Sequence, residues 1–193
     1  MLLVVYNFKG GEGKSRIAQN LALTMDYSII TNDVFSPIEK ILKNHQFLKI
    51  WPDQEFPDVN VDDDIIFDLG GYPDGRVVQI LKKSRFIIVP ITNEIDNIQV
   101  GINTIDTIEK YNKNIIIIAN RTTANDFQVI SNDLSCLYNY PIFEVKKSTA
   151  LSKLSTRRQS IREIVKNNPL LKYNYNKIND QFNSIISYLT NMQ

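Results

Sequence analysis

The sequence predicts a doubly wound α/β fold on a mainly parallel sheet, read as one domain over residues 1–193. Three observations carry this. Short runs rich in Ile and Val alternate with segments whose apolar residues recur at helical spacing. The runs are apolar throughout instead of alternating apolar and polar, as in strands covered on both faces. Repeated strand–helix units favour parallel pairing through right-handed crossovers.

The elements follow in order. "LLVVY" (2–6) reads as the first strand, and Ile17, Ala18, Leu21, Ala22 and Met25 mark the helix after it. "SII" (28–30) and "DIIFD" (64–68) are the next strands, the second followed by a helix containing Val77, Val78 and Leu81. "FIIVPI" (86–91) leads to a helix marked by Ile98, Ile102, Ile105 and Ile108. "NIIIIAN" (114–120) and "PIFEV" (141–145) complete the strands. "SIRE" (160–163) has the form of a capping box, in which Ser160 accepts from an exposed amide and Glu163 reaches back. Ile161, Ile164 and Val165 would line the buried side of that helix. Tyr175, Ile178, Phe182, Ile185 and Leu189 mark a final amphipathic helix.

Composition removes several classes of chemistry. One cysteine, Cys136, leaves no intrachain disulfide and no four-cysteine metal site, which fits a reducing cytosol. One histidine, His45, argues against histidine-based zinc sites and Ser-His-Asp triads. No run approaches the roughly 18 apolar residues of a membrane span, and the N-terminus has no signal-peptide pattern, so a cytoplasmic protein without a targeting segment is expected. The net charge is only +1, but it is unevenly spread. Eight acidic residues and no basic ones lie from Asp53 to Asp74, and eight basic residues against one acid lie from Lys146 to Lys172. The basic tract suggests a polyanion partner.

The most specific segment is "KGGEGKS", Lys9–Ser15, set between the first strand and the first helix. Glycines here permit positive φ and let backbone amides approach a polyphosphate. The helix that follows turns its N-terminal amides and positive dipole end toward the same anion. Gly10, Gly11, Glu12, Gly13, Lys14, Ser15 and Arg16 are therefore candidate nucleotide-binding residues. Lys14 can reach the β and γ phosphates, and the Ser15 hydroxyl can ligate magnesium. Position 8 is Phe where the general P-loop has Gly, so the match is to the variant KGGxGK[ST].

That variant resembles the deviant Walker A motif of the ParA/MinD family of ATPases, and with it comes a fold of the P-loop NTPase type. The resemblance implies that Lys9 crosses a homodimer interface to the partner's nucleotide, acting as a cation supplied in trans during phosphoryl transfer. By the same resemblance Asp68, ending an apolar strand, is the Walker B carboxylate that holds magnesium with Ser15. Gly70 and Gly71 then offer a backbone amide to the γ phosphate where the family often has a proline-containing turn. "TNDVFSP" stands at the family's D-x-D-P-Q: Asp33 matches the second, water-orienting aspartate, Thr31 replaces the first, Val34 replaces the proline, and no glutamine follows. Lys9, Lys14 and Asp33 are thus the candidate catalytic residues. "IIIIANR" is similar to the family's strand ending in a base-reading asparagine, which nominates Asn120 for adenine. The implied cofactors are ATP and magnesium.

Within that family the last helix, with Lys177 as its one cation, argues against a membrane partner. A single cysteine argues against a bridged cluster. "KKSTALSKLSTRRQSIREIVK" instead offers cations for non-specific double-stranded DNA: Lys153 and Arg157 sit four apart, as do Arg162 and Lys166, with Arg158 between the pairs. Each pair would share a helix face if both segments are helical. No room precedes Leu2 for a helix-turn-helix domain, so the chain resembles the short partition ATPases, which leave centromere binding to a separate adaptor protein. The expected location is the cytoplasm, associated with the nucleoid.

Overall fold

The computed structural model describes residues 1–71 and 73–192. The strands are β1 (Leu3–Asn7), β2 (Ser28–Thr31), β3 (Phe47–Lys49), β4 (Ile65–Gly70), β5 (Phe86–Ile91), β6 (Ile115–Thr122) and β7 (Ile142–Lys146). The helices are α1 (Lys14–Met25), α2 (Gly75–Lys83), α3 (Ile95–Ile108), α4 (Asp126–Ser135), α5 (Leu154–Arg157), α6 (Ile161–Asn167) and α7 (Pro169–Asn191). All seven strands form one sheet in the order β3-β2-β4-β1-β5-β6-β7, and every pairing is parallel. This is the doubly wound P-loop NTPase arrangement expected from the sequence, in a single domain with the sheet wholly parallel.

The unbroken apolar runs have their explanation in two cores. On one face Leu3, Val5, Ile66, Ile88 and Ile118 pack with Ile17 and Leu21 of α1, Ile161 and Ile164 of α6, and the predicted stripe of α7. On the other face Leu2, Val4, Tyr6, Phe67 and Val89 pack with Val77 and Leu81 of α2, Ile105 and Ile108 of α3, and Ile130 and Leu134 of α4. The central strands β1, β4, β5 and β6 bury both sets of side chains, so both positions of the period-2 repeat are apolar along most of their length. At roughly 2 kcal/mol for each fully buried aliphatic side chain, this double burial dominates the favourable side of folding.

Two elements were not expected. β3 is a three-residue edge strand, half-buried or exposed, with too little apolar pattern to stand out. α4 buries only Ile130 and Leu134 along ten residues. The capping box forms as expected: Ser160 accepts from Glu163 N–H, and Glu163 accepts from Ser160 N–H at 2.8 Å. α7 starts at Pro169, capped by Asn168, whose side chain accepts from Leu171 N–H. No helix among the described residues is long and apolar enough to cross a membrane.

β1 is central, and the chain winds outward to β2 and β3 on one side before β4 returns beside it and β5 opens the other side. The strand order therefore reverses around β1. A crevice forms beyond the carboxyl ends of strands at such a point, and the loop after β1 lies in it.

Candidate nucleotide site

The loop from Lys9 to Gly13 is held at its start by Asn7, the last residue of β1. Asn7 Nδ2 donates to Pro90 O on β5 at 2.8 Å, and Asn7 Oδ1 accepts from Lys9 N–H at 2.9 Å. Gly11 and Gly13 take φ of +84° and +85°, the left-handed region that glycine enters without strain. Gly13 is also sterically required: a Cβ there would lie 2.4 Å from Asn120 Nδ2. That Asn120 amide donates to Glu12 O at 2.7 Å, tying the loop to the end of β6.

Gly13 is the N-cap of α1 and supplies no side-chain cap. The first amides of the helix are left for an anion, the arrangement that binds phosphate at helix N-termini. Lys14 Nζ donates to Lys9 O at 2.7 Å, folding the side chain back over the loop. Burial lowers the Lys14 pKa, against the opposing pull of Asp68, Glu12 and Asp33.

Asp68 ends the sequence-predicted strand and is buried at 4% exposure, paired in register with Val5 on β1 and Thr31 on β2. Burial pushes its pKa up to about 6; a hydrogen bond from Ser15 and the charge of Lys14 act against that rise, and Asp33 adds to it. Ser15 hydroxyl and Asp68 carboxylate thus stand together as hard oxygen donors, and the raised pKa marks a carboxylate short of positive charge. That donor pair fits magnesium.

The cavity has two lobes on either side of the loop, both lined by Arg16 and by Arg121, which adopts φ +56°. The smaller, about 430 Å³, is bounded by Lys14, Ser15, Asp33, Asp68 and Gly70 and suits phosphates. The larger, about 760 Å³, is bounded by Glu12, Asn120, Asp126 and Lys146. Asn120 Oδ1 is buried without a partner among the described residues, an acceptor that an exocyclic amine would satisfy.

The side chains of Asp33 and Lys9 are both engaged at the rim of the site. Asp33 is exposed and closes an Asx turn, its Oδ1 accepting from Phe35 N–H at 3.1 Å. Lys9 Nζ donates to Asn97 Oδ1 on α3. Glu12 faces inward at 2% exposure, and its Oε2 accepts from both N–H and Oγ1 of Thr92 at 2.9 Å. Thr92 Oγ1 in turn accepts from Asn97 Nδ2 at 2.6 Å. Thr92 and Asn97 were not expected from the sequence; their one signal is position, just past a strand that ends at the site.

The basic tract is less uniform than its spacing suggests. Arg162 and Lys166 are both exposed on α6. Lys153 and Arg157 do not share a continuous helix, because a 3₁₀ turn ending at Lys153 precedes the single turn of α5. Lys153 lies over the Tyr175 ring at 5.3 Å, Arg158 donates to the carbonyls of Lys40 and Glu39, and Arg162 donates to Asn183 Oδ1.

No family model matches the sequence, and no curated protein matches it. Solved structures do. An ATP complex of a McdA variant from Cyanothece is 11% identical, with a TM-score of 0.71 over 98% of this chain and 96% of that one. A ParA-family ATPase from Chlorobium tepidum is 17% identical, with a TM-score of 0.61 over 89% and 95%. MinD complexed with Mg-ADP from Pyrococcus horikoshii is 12% identical, with a TM-score of 0.57 over 87% and 88%. The chain has the fold of the ParA/MinD-type ATPases.

Proposed function

We propose that the chain is a short ParA-like partition ATPase. In this reading it binds ATP with magnesium, dimerises face to face when ATP-bound, and coats nucleoid DNA in the cytoplasm. A separate centromere-binding adaptor stimulates hydrolysis and resets the dimer. The observation that carries the nucleotide reading is the uncapped α1 N-terminus with Lys14 beside it and the Ser15–Asp68 pair facing the same cavity.

Backbone amides of Gly10–Ser15 and the Lys14 ammonium bind the polyphosphate, and Asn120 Oδ1 accepts from the 6-amino group of adenine. Bound magnesium, held by Ser15 and Asp68, supplies charge neutralisation to the phosphates. Asp33 orients water after leaving its turn, and Lys9 leaves Asn97 to reach the partner's nucleotide. The dimer reading is supported by Phe35 and Ile95, 89% and 88% exposed: one follows Asp33, the other precedes Asn97. A second copy seated against this side of the site would cover both.

Arg157, Arg158, Arg162 and Lys166 would meet DNA phosphates without reading bases. The engagement of Lys153, Arg158 and Arg162 within the chain favours a second reading, an ATPase of this fold that positions a cargo other than DNA. Binding to random-sequence duplex DNA with ATP, ADP or no nucleotide, across a salt series, separates them. Tight, salt-sensitive binding with ATP alone supports partition; nucleotide binding without DNA affinity supports the other cargo. Turnover of wild type against Asp33→Ala, with adaptor present, tests the enzyme: equal slow rates would leave a nucleotide-gated scaffold.

A further inference from the structure

β2 ends at Thr31, paired with Asp68 of β4. One residue on, the backbone ladder stops, yet hydrogen bonding continues through a side chain. Asn32 Oδ1 accepts from Gly70 N–H at 3.2 Å, and Asn32 Nδ2 donates to Gly70 O at 3.0 Å. One primary amide thereby occupies both backbone polar groups of one residue. The orientation is fixed by chemistry, since an N–H can only donate and a carbonyl can only accept.

Gly70 lies in the phosphate lobe, where a Cβ would stand 3.2 Å from Lys14 Cε and 3.3 Å from its Nζ. A proline in this turn, common in the family that the segment resembles, would have no N–H to give Asn32. Asn32 and Gly70 thus depart from that pattern as a bonded pair. The turn is tied once more at its far end, where Tyr6 donates to Gly71 O at 2.6 Å. Beside Asn32, Asp33 is held in its Asx turn.

We infer that Asn32 is a positioning residue that competes for the Gly70 N–H and yields it to the terminal phosphate of a nucleoside triphosphate. The inference rests on the nucleotide reading above. Capture of Gly70 by that phosphate frees Asn32, and with it the adjoining turn that carries Asp33. A diphosphate leaves the Asn32–Gly70 pair intact, so the pair distinguishes the two nucleotides.

The test is calorimetric binding of a non-hydrolysable ATP analogue and of ADP, with magnesium, to wild type and Asn32→Ala. Without the competing side chain the analogue binds about fivefold tighter, the equivalent of one net hydrogen bond, while ADP affinity is unchanged. A parallel change for both nucleotides, or weaker analogue binding, overturns the inference. Wild type alone provides a second readout if the variant does not fold: the Gly70 amide NMR resonance moves with the analogue and not with ADP. An equal response to both overturns the inference with the nucleotide reading intact; binding of neither nucleotide overturns both.

Discussion

The ammonium of Lys14 donates to the carbonyl oxygen of Lys9 at 2.7 Å, so the second lysine of the loop is folded back over the loop's own backbone. It is held in place and partly desolvated, with its pKa lowered mainly by burial. Lys14→Met therefore loses roughly 10- to 100-fold in nucleotide affinity, since charge-assisted hydrogen bonds to phosphate disappear. The same change leaves the nucleotide-free chain as stable or more so, because a penalised charge is gone. Calorimetry with ATP and urea unfolding check the two halves separately.

Asp68 gives a pH-dependent prediction whose sign follows from its pKa, raised from 3.8 to about 6. The fold disfavours the charged form, so wild type carries a cost that is absent below about pH 4 and fully present above about pH 6. Asp68→Asn removes it and stabilises the nucleotide-free chain by about 3 kcal/mol at pH 8, with the gain vanishing at low pH. Denaturant midpoints for both proteins from pH 4 to 8 measure this. Magnesium-dependent nucleotide binding falls in the same variant.

Glu12 bridges the loop to the end of β5 by accepting two hydrogen bonds from Thr92. Truncation to Ala strands a buried N–H and a buried hydroxyl, costing about 2–3 kcal/mol. Glu12→Gln keeps an oxygen acceptor and costs about 1 kcal/mol. Equal losses in thermal unfolding would mean that the carboxylate's charge, and not its acceptor geometry, is what matters.

The capping box at the start of α6 is closed by reciprocal bonds between Ser160 and Glu163, with Ser160 only 1% exposed. Ser160→Ala lowers stability by about 1 kcal/mol, and Ser160→Thr, which keeps a hydroxyl that can both accept from Glu163 N–H and donate to the Glu163 carboxylate, recovers most of it. Chemical denaturation of the three proteins provides the check; nucleotide affinity stays unchanged in all of them.

Much of this was legible along the chain. The alternation of Ile- and Val-rich runs with helix-periodic segments determined the sheet and its parallel winding, because strands buried on both faces cannot hide that composition. Lys9–Ser15 determined the tight turn between β1 and α1, because Gly11 and Gly13 enter the left-handed region without strain. The short edge strand Phe47–Lys49 and the weakly buried helix Asp126–Ser135 escaped, having few apolar side chains to set a period.

What only the tertiary structure decided is who meets whom at the carboxyl ends of the strands. Glu12 counts from the sequence among the nucleotide-binding candidates with no direction assigned to its side chain, which turns inward to Thr92, 80 residues away. Asn32 reads as a spacer and instead pairs with Gly70, 38 residues on. Lys9 carries a role in trans by resemblance, and in the chain alone it rests on Asn97. Sequence periodicity records which face of an element is buried; strand order sets which distant polar groups converge beyond the sheet, and no local pattern encodes that order.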